Sequence, residues 1–571
     1  MIDNQSRLQV IGLIFLALAG VVLLRLGYLQ LVRHDYFSVL ASQSHSRKFE
    51  IAPQRGRIYA YDRGEPVPLA MNRNLKTLYA DTRYIFDLDD VVSGLEAALG
   101  RDYSEQLTAA DGYVRLEREI TLEAAQAIEE LEISGIGLSD NYRRVYPEGS
   151  LASQVMGFVN TDGEGQYGIE EYLDSSLSGT PGLFDIETDS NGVPIATSDN
   201  IQRAPQHGSD IYLTIDRNVQ AKVESVLAEH VKATSARSAH AVIMDPNSGE
   251  VVAMANYPSF DPNKYSEVED YSRFSNVAAT GTFEPGSGFK VFTMAAGLNG
   301  GAIDEEETFY DAGAVKVDDA VIRNTEGGGD RTKSMTDIII ESINTGVVYI
   351  LERLGGGEIN TQAKTALHSF FTGNLQLTTR TDIEQPGEPE LHMNTPESVG
   401  AVNYANMTFG QGIATTMVRM TTSMAAVING GTMYRPHLVD YEIAPDGTVI
   451  DTEPEVVGES VVTDSTTASI RRMMDDSVQK GGGWAITRLI PEHKVGGKTG
   501  TSEIPSPDGG YLDGEYIGSF IGFAPVDNPR YIMMVRIDDP HNVTYAGSGG
   551  AGPVFADIID WLVKYAGIPS E

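Results

Sequence analysis

At 571 residues the chain is longer than one hydrophobic core ordinarily organises, so two or more domains are expected. A composition of 41% hydrophobic and 21% charged residues excludes a predominantly disordered polymer. A formal charge of −38 argues against nucleic acid as a partner and against charge-driven lipid binding, and the lack of cysteine removes disulfides, thiolate catalysis and cysteine-ligated zinc.

The first predicted element is an apolar run, "LQVIGLIFLALAGVVLL", continued past Arg25 by "LGYLQLV". It predicts a membrane helix over 8–32 behind a short cytoplasmic head, 1–7. Ala17-Leu18-Ala19 mimics a signal-peptidase site but lies inside the run, so an uncleaved anchor is expected. Arg7 precedes the span while Arg25 and Arg33 follow it, so the basic residues do not orient it. The short head places the bulk of the chain outside the cytoplasm.

Residues 33–207 mix helix and strand signals, with turns at "YPEGS", "NTDGEGQYG" and "SGTPGL", and read as an N-terminal module. A second domain is expected over 208–571. "DIYLTID" alternates like a strand and ends in a candidate N-cap, Asp216, before Val219, Val223, Val226 and Leu227 recur at helical spacing. "HAVIMD" and "EVVAMAN" read as a hairpin. Near the far end, "YIGSFIGFA" and "RYIMMVRID" flank the turn "PVDNP", and a last helix is predicted from Pro553 to about Gly567. Strands near both ends of a largely helical middle predict an α+β fold: an antiparallel sheet, covering helices and an inserted helical lobe. The GGG runs starting at Gly327, Gly355 and Gly481 read as loops or helix stops.

Three motifs compete for the chemistry. Gly497-Lys498-Thr499 suggests a phosphate loop, but Glu492 stands where its first glycine belongs and "SEIPSPDGGY" cannot open the helix that must follow. Ser548 in "AGSGG" suggests a nucleophile elbow, which needs a later histidine; none follows His541, and a loop is expected there. The third is an ordered trio: Ser287 and Lys290 as S-x-x-K, Ser342 and Asn344 as S-x-N, then Lys498-Thr499-Gly500 as K-T-G. Stray copies exist: Ser477 to Lys480 repeats S-x-x-K, and Ser139-Asp140-Asn141 and Ser198-Asp199-Asn200 repeat S-D-N. Only the first set runs in order, with Ser287 after a Pro-Gly turn and before an apolar helical stretch.

A serine hydroxyl needs a base, and on a helix Lys290 falls one turn after Ser287 on the same side. Burial among Phe289, Phe292 and Met294, with Lys498 nearby, would lower the amine's pKa. "GKTGT" reads as an edge strand against which a substrate backbone can lie. The backbone N–H groups of Ser287 and Thr501 are candidates for an oxyanion hole, and Lys498, Thr499 and Thr501 for a carboxylate site. Ser342 could relay a proton and Asn344 hold a substrate amide. The ten histidines show no convincing ligand spacing.

The trio is the set shared by penicillin-binding proteins and class A β-lactamases. The chain resembles class B penicillin-binding proteins along nearly its whole length. "QRGRIYAYDRGEPVPLA" and "RRVYPEGSLASQVMGFVNTDGEGQYGIEEYLDSSLSGTPG" resemble the family's N-terminal landmarks, and "MDPNSGEVVAMANYPSFDPN" and "FGQGIATTMVRMTTSMAAVINGG" its catalytic stretches. Two departures stand out: Gly288 where threonine is usual, and "DRGEP" in place of D-R-N-G. The resemblance implies an N-terminal pedestal, a transpeptidase domain and a plasma-membrane location with an extracytoplasmic catalytic domain. It implies that Ser287 attacks a stem peptide ending in D-alanyl-D-alanine, that an amine of a neighbouring strand resolves the acyl-enzyme, and that β-lactams acylate the same serine. Implied partners are a polytopic membrane glycan polymerase and division proteins, and the resemblance implies neither a metal nor a cofactor. The compact length and "EPGSGFK" lean towards the septal branch, with an elongation enzyme or a non-catalytic scaffold as alternatives. A carboxypeptidase or β-lactamase is the mechanistic rival.

Overall fold

The computed structural model describes residues 4–34, 36–37, 46–187, 200–325, 329–481, 494–506 and 509–569. The start of the predicted head, Ser198-Asp199 of the second S-D-N copy, and parts of the GGG runs at 327–328 and 482–483 lie outside them. The chain forms two compact units: 1–54, 74–142 and 179–207 make the first, and 55–73, 143–178 and 208–571 the second.

In the first unit, helix Asn4–Gly27 continues as a π-helical turn, Tyr28–Val32. Within it Leu8–Val32 is 25 residues long with a mean hydropathy of 2.5. At ~1.5 Å per residue this exceeds the ~30 Å of a bilayer's hydrocarbon layer. The side chains of Leu8, Phe15 and Leu24 are exposed, so this apolar surface is not covered by the rest of the described chain. The same unit has an antiparallel sheet of Ser46–Ile51, Gly182–Glu187 and Asn200–Arg203. A separate small core joins Leu78, Val91, Leu95, Leu116 and Ile128. Helix Leu88–Leu99 is punctuated by its own sequence: the Asp87 carboxylate accepts the Asp90 N–H at the start, and Gly100 adopts a left-handed φ of 68° at the end.

The second unit is built on a five-stranded antiparallel sheet in the order Val251–Tyr257, Ser238–Met244, Tyr531–Asp538, Tyr511–Ala524, Gly496–Pro505. Strands Val251–Tyr257, Ser238–Met244 and Tyr531–Asp538 are buried along most of their length because both faces are covered. Ala241, Ile243, Val535 and Phe520 point to helices Arg217–Thr234 and Gly552–Tyr565, where they meet Val223, Leu227, Val554, Ile558 and Leu562. Val242, Met244, Ile521 and Met534 face the larger core shared with the helical lobe, including Lys290–Asn299, Asn344–Leu354 and Met417–Ile428. The expected fold is therefore present. Asp216 caps its helix as read, accepting the N–H groups of Asn218 and Val219 at 2.8 and 3.0 Å. The Tyr565 hydroxyl of the last helix donates to the same carboxylate at 3.0 Å, fastening the two covering helices.

Segments 55–73 and 143–178 cluster with this unit. Strand Ile58–Asp62 lies parallel to Asp210–Asp216 and antiparallel to the strand that begins at Glu65. The departure "DRGE" is a two-residue hairpin turn with Arg63 at φ 51° and Gly64 at φ 87°, the left-handed pair of a type I′ turn, whose twist suits the flanking strands.

Glu224, on helix Arg217–Thr234, gives a first prediction. Burial pushes its carboxyl up to about 7, although Gln220 and the Ala152 N–H both donate to it. A carboxyl whose folded pKa lies above its unfolded value imposes no cost below about pH 4.5. The cost grows as pH rises towards 7 and is complete above it. Glu224→Gln keeps an acceptor for both donors, so its melting temperature should match wild type at pH 4.5 and exceed it at pH 8. The gain corresponds to ~2–3 kcal/mol. Equal melting temperatures at both pH values would refute this.

Candidate active site

Ser287 lies in a 3-10 turn, Gly286–Phe289, that runs directly into helix Lys290–Asn299. It is partly exposed while Gly286, Gly288, Phe289 and Lys290 are buried, so its position opens to solvent above an apolar base. Phe289 stacks edge-on against Phe292 and Phe371, which anchors the turn from below.

Lys290 is fully buried, and its Nζ donates to the Ser342 carbonyl at 2.5 Å and to the Ser342 hydroxyl at 3.1 Å. Burial pushes its pKa well below the usual lysine range, and the charge of Lys498 pushes in the same direction. The amine thus ties segment 287–290 to Ser342, and Lys498 is near enough for its charge to act on it. Ser342 adopts a left-handed φ of 57° between helices Met335–Ile340 and Asn344–Leu354. A non-glycine residue pays for that conformation, here with its carbonyl and hydroxyl both presented to the amine. Asn344 opens its helix, and its Nδ2 donates to the Arg323 carbonyl at 2.9 Å. Its amide oxygen is therefore the group suited to meet a substrate N–H.

Strand Gly496–Pro505 is the sheet edge, as expected from its small residues. Lys498 is 2% exposed and reaches the carbonyl and hydroxyl of Thr499, each at 3.4 Å. Thr501 is exposed, and its hydroxyl accepts the Gly547 N–H at 3.2 Å. Ser548 itself lies in a π-helical turn, Ala546–Ala551, that leads into the last helix, rather than in an open loop. Ser477 is buried in helix Asp464–Lys480, and Ser139 lies on strand Ile136–Val145.

The sequence reading did not foresee how closely backbone meets backbone here. A Cβ on Gly500 would lie 2.6 Å from the Pro285 carbonyl oxygen and 3.3 Å from the Gly288 nitrogen. One on Gly286, at φ 56°, would lie 2.9 Å from the Thr501 carbonyl carbon, and one on Gly410, at φ 80°, 2.7 Å from the Gly286 nitrogen. Three glycines thus let the serine turn, the edge strand and the "FGQG" loop touch through main chain alone. Gly288 differs: its only close neighbour would be the Met420 terminal methyl at 3.2 Å, which can shift. Gly288→Ala should hold or raise the melting temperature, gaining up to ~1 kcal/mol of helix propensity. Gly286→Ala should lower it and reduce acylation, because both conformation and space oppose a side chain. Thermal unfolding of the two variants compares them directly, and equal behaviour would refute the contrast.

Glu284, just before the turn, accepts the Gly412 N–H at 2.9 Å and the Tyr511 hydroxyl at 3.0 Å, linking the turn to two flanking segments. Burial and the Glu284 charge push Tyr511 up to about 12. The arrangement offers a hydroxyl, a desolvated amine, a second cation and an open strand edge: the parts needed for acyl transfer. No group of acidic or histidine side chains suited to a metal occurs among the described residues.

Comparison with known proteins agrees with this chemistry. Residues 239–560 match the family described as penicillin binding protein transpeptidase domain, and 50–213 the penicillin-binding protein dimerisation domain. Stage V sporulation protein D of Bacillus subtilis is 31% identical over 560 residues, covering 96% of this chain and 84% of its own. A peptidoglycan D,D-transpeptidase FtsI homolog of Mesostigma viride is 28% identical, covering 99% and 96%. Among solved structures, penicillin binding protein 2X of Streptococcus thermophilus superposes with a TM-score of 0.76 at 24% identity, covering 91% of this chain and 80% of that one. Penicillin binding protein 3 of Mycobacterium tuberculosis, complexed with aztreonam, gives 0.70 at 24% identity, covering 92% and 98%. With a dimerisation domain ahead of a transpeptidase domain, the chain belongs to the class B penicillin-binding proteins, a family of serine D,D-transpeptidases.

Proposed function

We propose that Ser287 is the nucleophile of a peptidoglycan cross-linking reaction and that neutral Lys290 is its base. The observation that carries this is the fully buried Lys290 amine, held by both oxygens of Ser342 beside the Lys498 charge. Lys290 takes the Ser287 proton as Oγ bonds to the carbonyl carbon of the penultimate D-alanine. The N–H groups of Ser287 and Thr501 receive the oxyanion. The C–N bond then breaks, and the proton passes by way of Ser342 to the departing D-alanine amine. An acceptor amine attacks the ester, forms the cross-link and returns Oγ to Ser287 with a proton. Lys498, Thr499 and Thr501 hold the terminal carboxylate beside the close-packed Gly500, and Asn344 holds the peptide amide. A β-lactam mimics the donor and leaves a slowly hydrolysed ester on Ser287.

Mass spectrometry of the protein after penicillin treatment should find the drug's mass on the peptide containing Ser287, and cross-linking of lipid-linked strands should need the same residue. Rapid release of the bound drug would instead favour a β-lactamase or carboxypeptidase.

We take 8–32 as a single-pass anchor in the plasma membrane, 33–207 as a pedestal and 208–571 as the extracytoplasmic catalytic domain. The apolar Leu8–Val32 helix supports the anchor, and the matched dimerisation and transpeptidase domains support the order of the two modules. The proposed partners are a polytopic glycan polymerase and division proteins, with a septal role supported by a relative named as an FtsI homolog. Filaments on depletion would support septal work, and rounded cells an elongation role.

A further inference from the structure

Asp311 ends the short strand Thr308–Asp311 and is 2% exposed. Its Oδ1 accepts from the Thr345 hydroxyl at 2.7 Å, the Gly313 N–H at 2.9 Å and Asn324 Nδ2 at 3.1 Å, and its Oδ2 accepts from Asn324 Nδ2 at 3.1 Å. These partners are all neutral, so among the described residues a carboxylate is kept out of water without an ion pair, a costly choice unless it holds something in place. What it holds is the start of helix Asn344–Leu354. Asn324 Oδ1 accepts the Thr345 N–H at 3.1 Å and its hydroxyl at 3.2 Å, and the preceding residue, Arg323, accepts Asn344 Nδ2. On the other side of Ser342, Glu341 pairs with Arg331 at 2.9 Å and with Lys333. Ser342 thus sits in its left-handed conformation between two tethered neighbours, with its oxygens on the Lys290 amine.

We propose that Asp311 is a positioning residue for acylation: through Asn324 and Thr345 it sets where Ser342 and Asn344 stand relative to Lys290. This rests on the reading of Ser287, Lys290, Ser342 and Asn344 as the reacting set. Asp311→Asn opposes two amide donors or turns Asn324 away from the Thr345 N–H, and Asn324→Asp brings two carboxylates together. The double variant Asp311→Asn with Asn324→Asp exchanges donor and acceptor and restores the chain.

The test is the acylation rate constant at saturating fluorescent penicillin, measured on the full chain in detergent micelles well below each variant's melting temperature. Each single variant should acylate roughly tenfold slower or worse, and the double should return to within about threefold of wild type, the non-additivity expected of directly coupled groups. Thr345→Val, which removes the hydroxyl shared between Asp311 and Asn324 and keeps the side chain's shape, should slow acylation by a few-fold and serves if the charge variants do not fold. Wild-type acylation in the folded single variants, whatever their melting temperatures, would overturn the proposal, as would a double variant no faster than the slower single. Undiminished labelling of Ser287→Ala would instead remove the reacting set itself.

Discussion

Replacing Ser287 by alanine is expected to abolish covalent labelling by a fluorescent penicillin, to below about one part in 10³ of wild type, because the atom that forms the bond is gone. The turn that presents it should survive: Gly286 and Gly288 keep their contacts, and the apolar base of Phe289, Phe292 and Phe371 is untouched. Ser477→Ala is the matched control. It carries the same S-x-x-K spacing but is buried in a different helix, so labelling should persist. Labelled protein after gel separation reads both. A labelled Ser287→Ala, or an unlabelled Ser477→Ala that melts like wild type, would contradict the assignment.

Replacing Lys290 by methionine should slow acylation by ~10²–10⁴, the range for a lost general base. The stability should not suffer in proportion. Burial makes the charged amine unfavourable in the folded state, so stability falls as pH drops below the ordinary lysine pKa and levels off beneath the depressed one. Methionine fills similar space without that cost, and the variant's melting temperature at neutral pH should equal or exceed wild type's. For the wild-type enzyme the acylation rate should rise with pH through the depressed pKa of Lys290. Lys498→Met removes a like charge and should move that rise to higher pH. Unchanged acylation by the Lys290 variant would remove the proposed base. A rise that stays put in the Lys498 variant would mean that burial alone sets the amine's pKa.

Much of the site was legible because its signals are local. S-x-x-K spacing puts two groups one helical turn apart wherever the helix lies, and "GKTGT" suits a strand edge by the smallness of its residues. Asp216 and the apolar faces of the first and last helices follow from short-range capping and periodicity. The parts that were not legible depend on distant pairing. Nothing in "GRIYAYD" says that Ile58–Asp62 runs parallel to Asp210–Asp216. A left-handed serine at 342 has no composition cue, since serine is not the residue that favours that conformation. Asp311 at a strand end, Asn324 in a loop and Thr345 in the first turn of a helix are ordinary polar residues until the fold brings them together. The three glycines were visible as letters, but which backbone each one accommodates was not.

That main-chain junction bears on how drug resistance could arise. A lineage under antibiotic selection could not loosen this junction by trimming a side chain, because Gly286, Gly410 and Gly500 have none to trim, and a side chain added to any of them would press on neighbouring backbone. Escape mutations should therefore accumulate in the side chains around the junction, at positions such as Met420 or Tyr511, while the three glycines stay invariant among survivors.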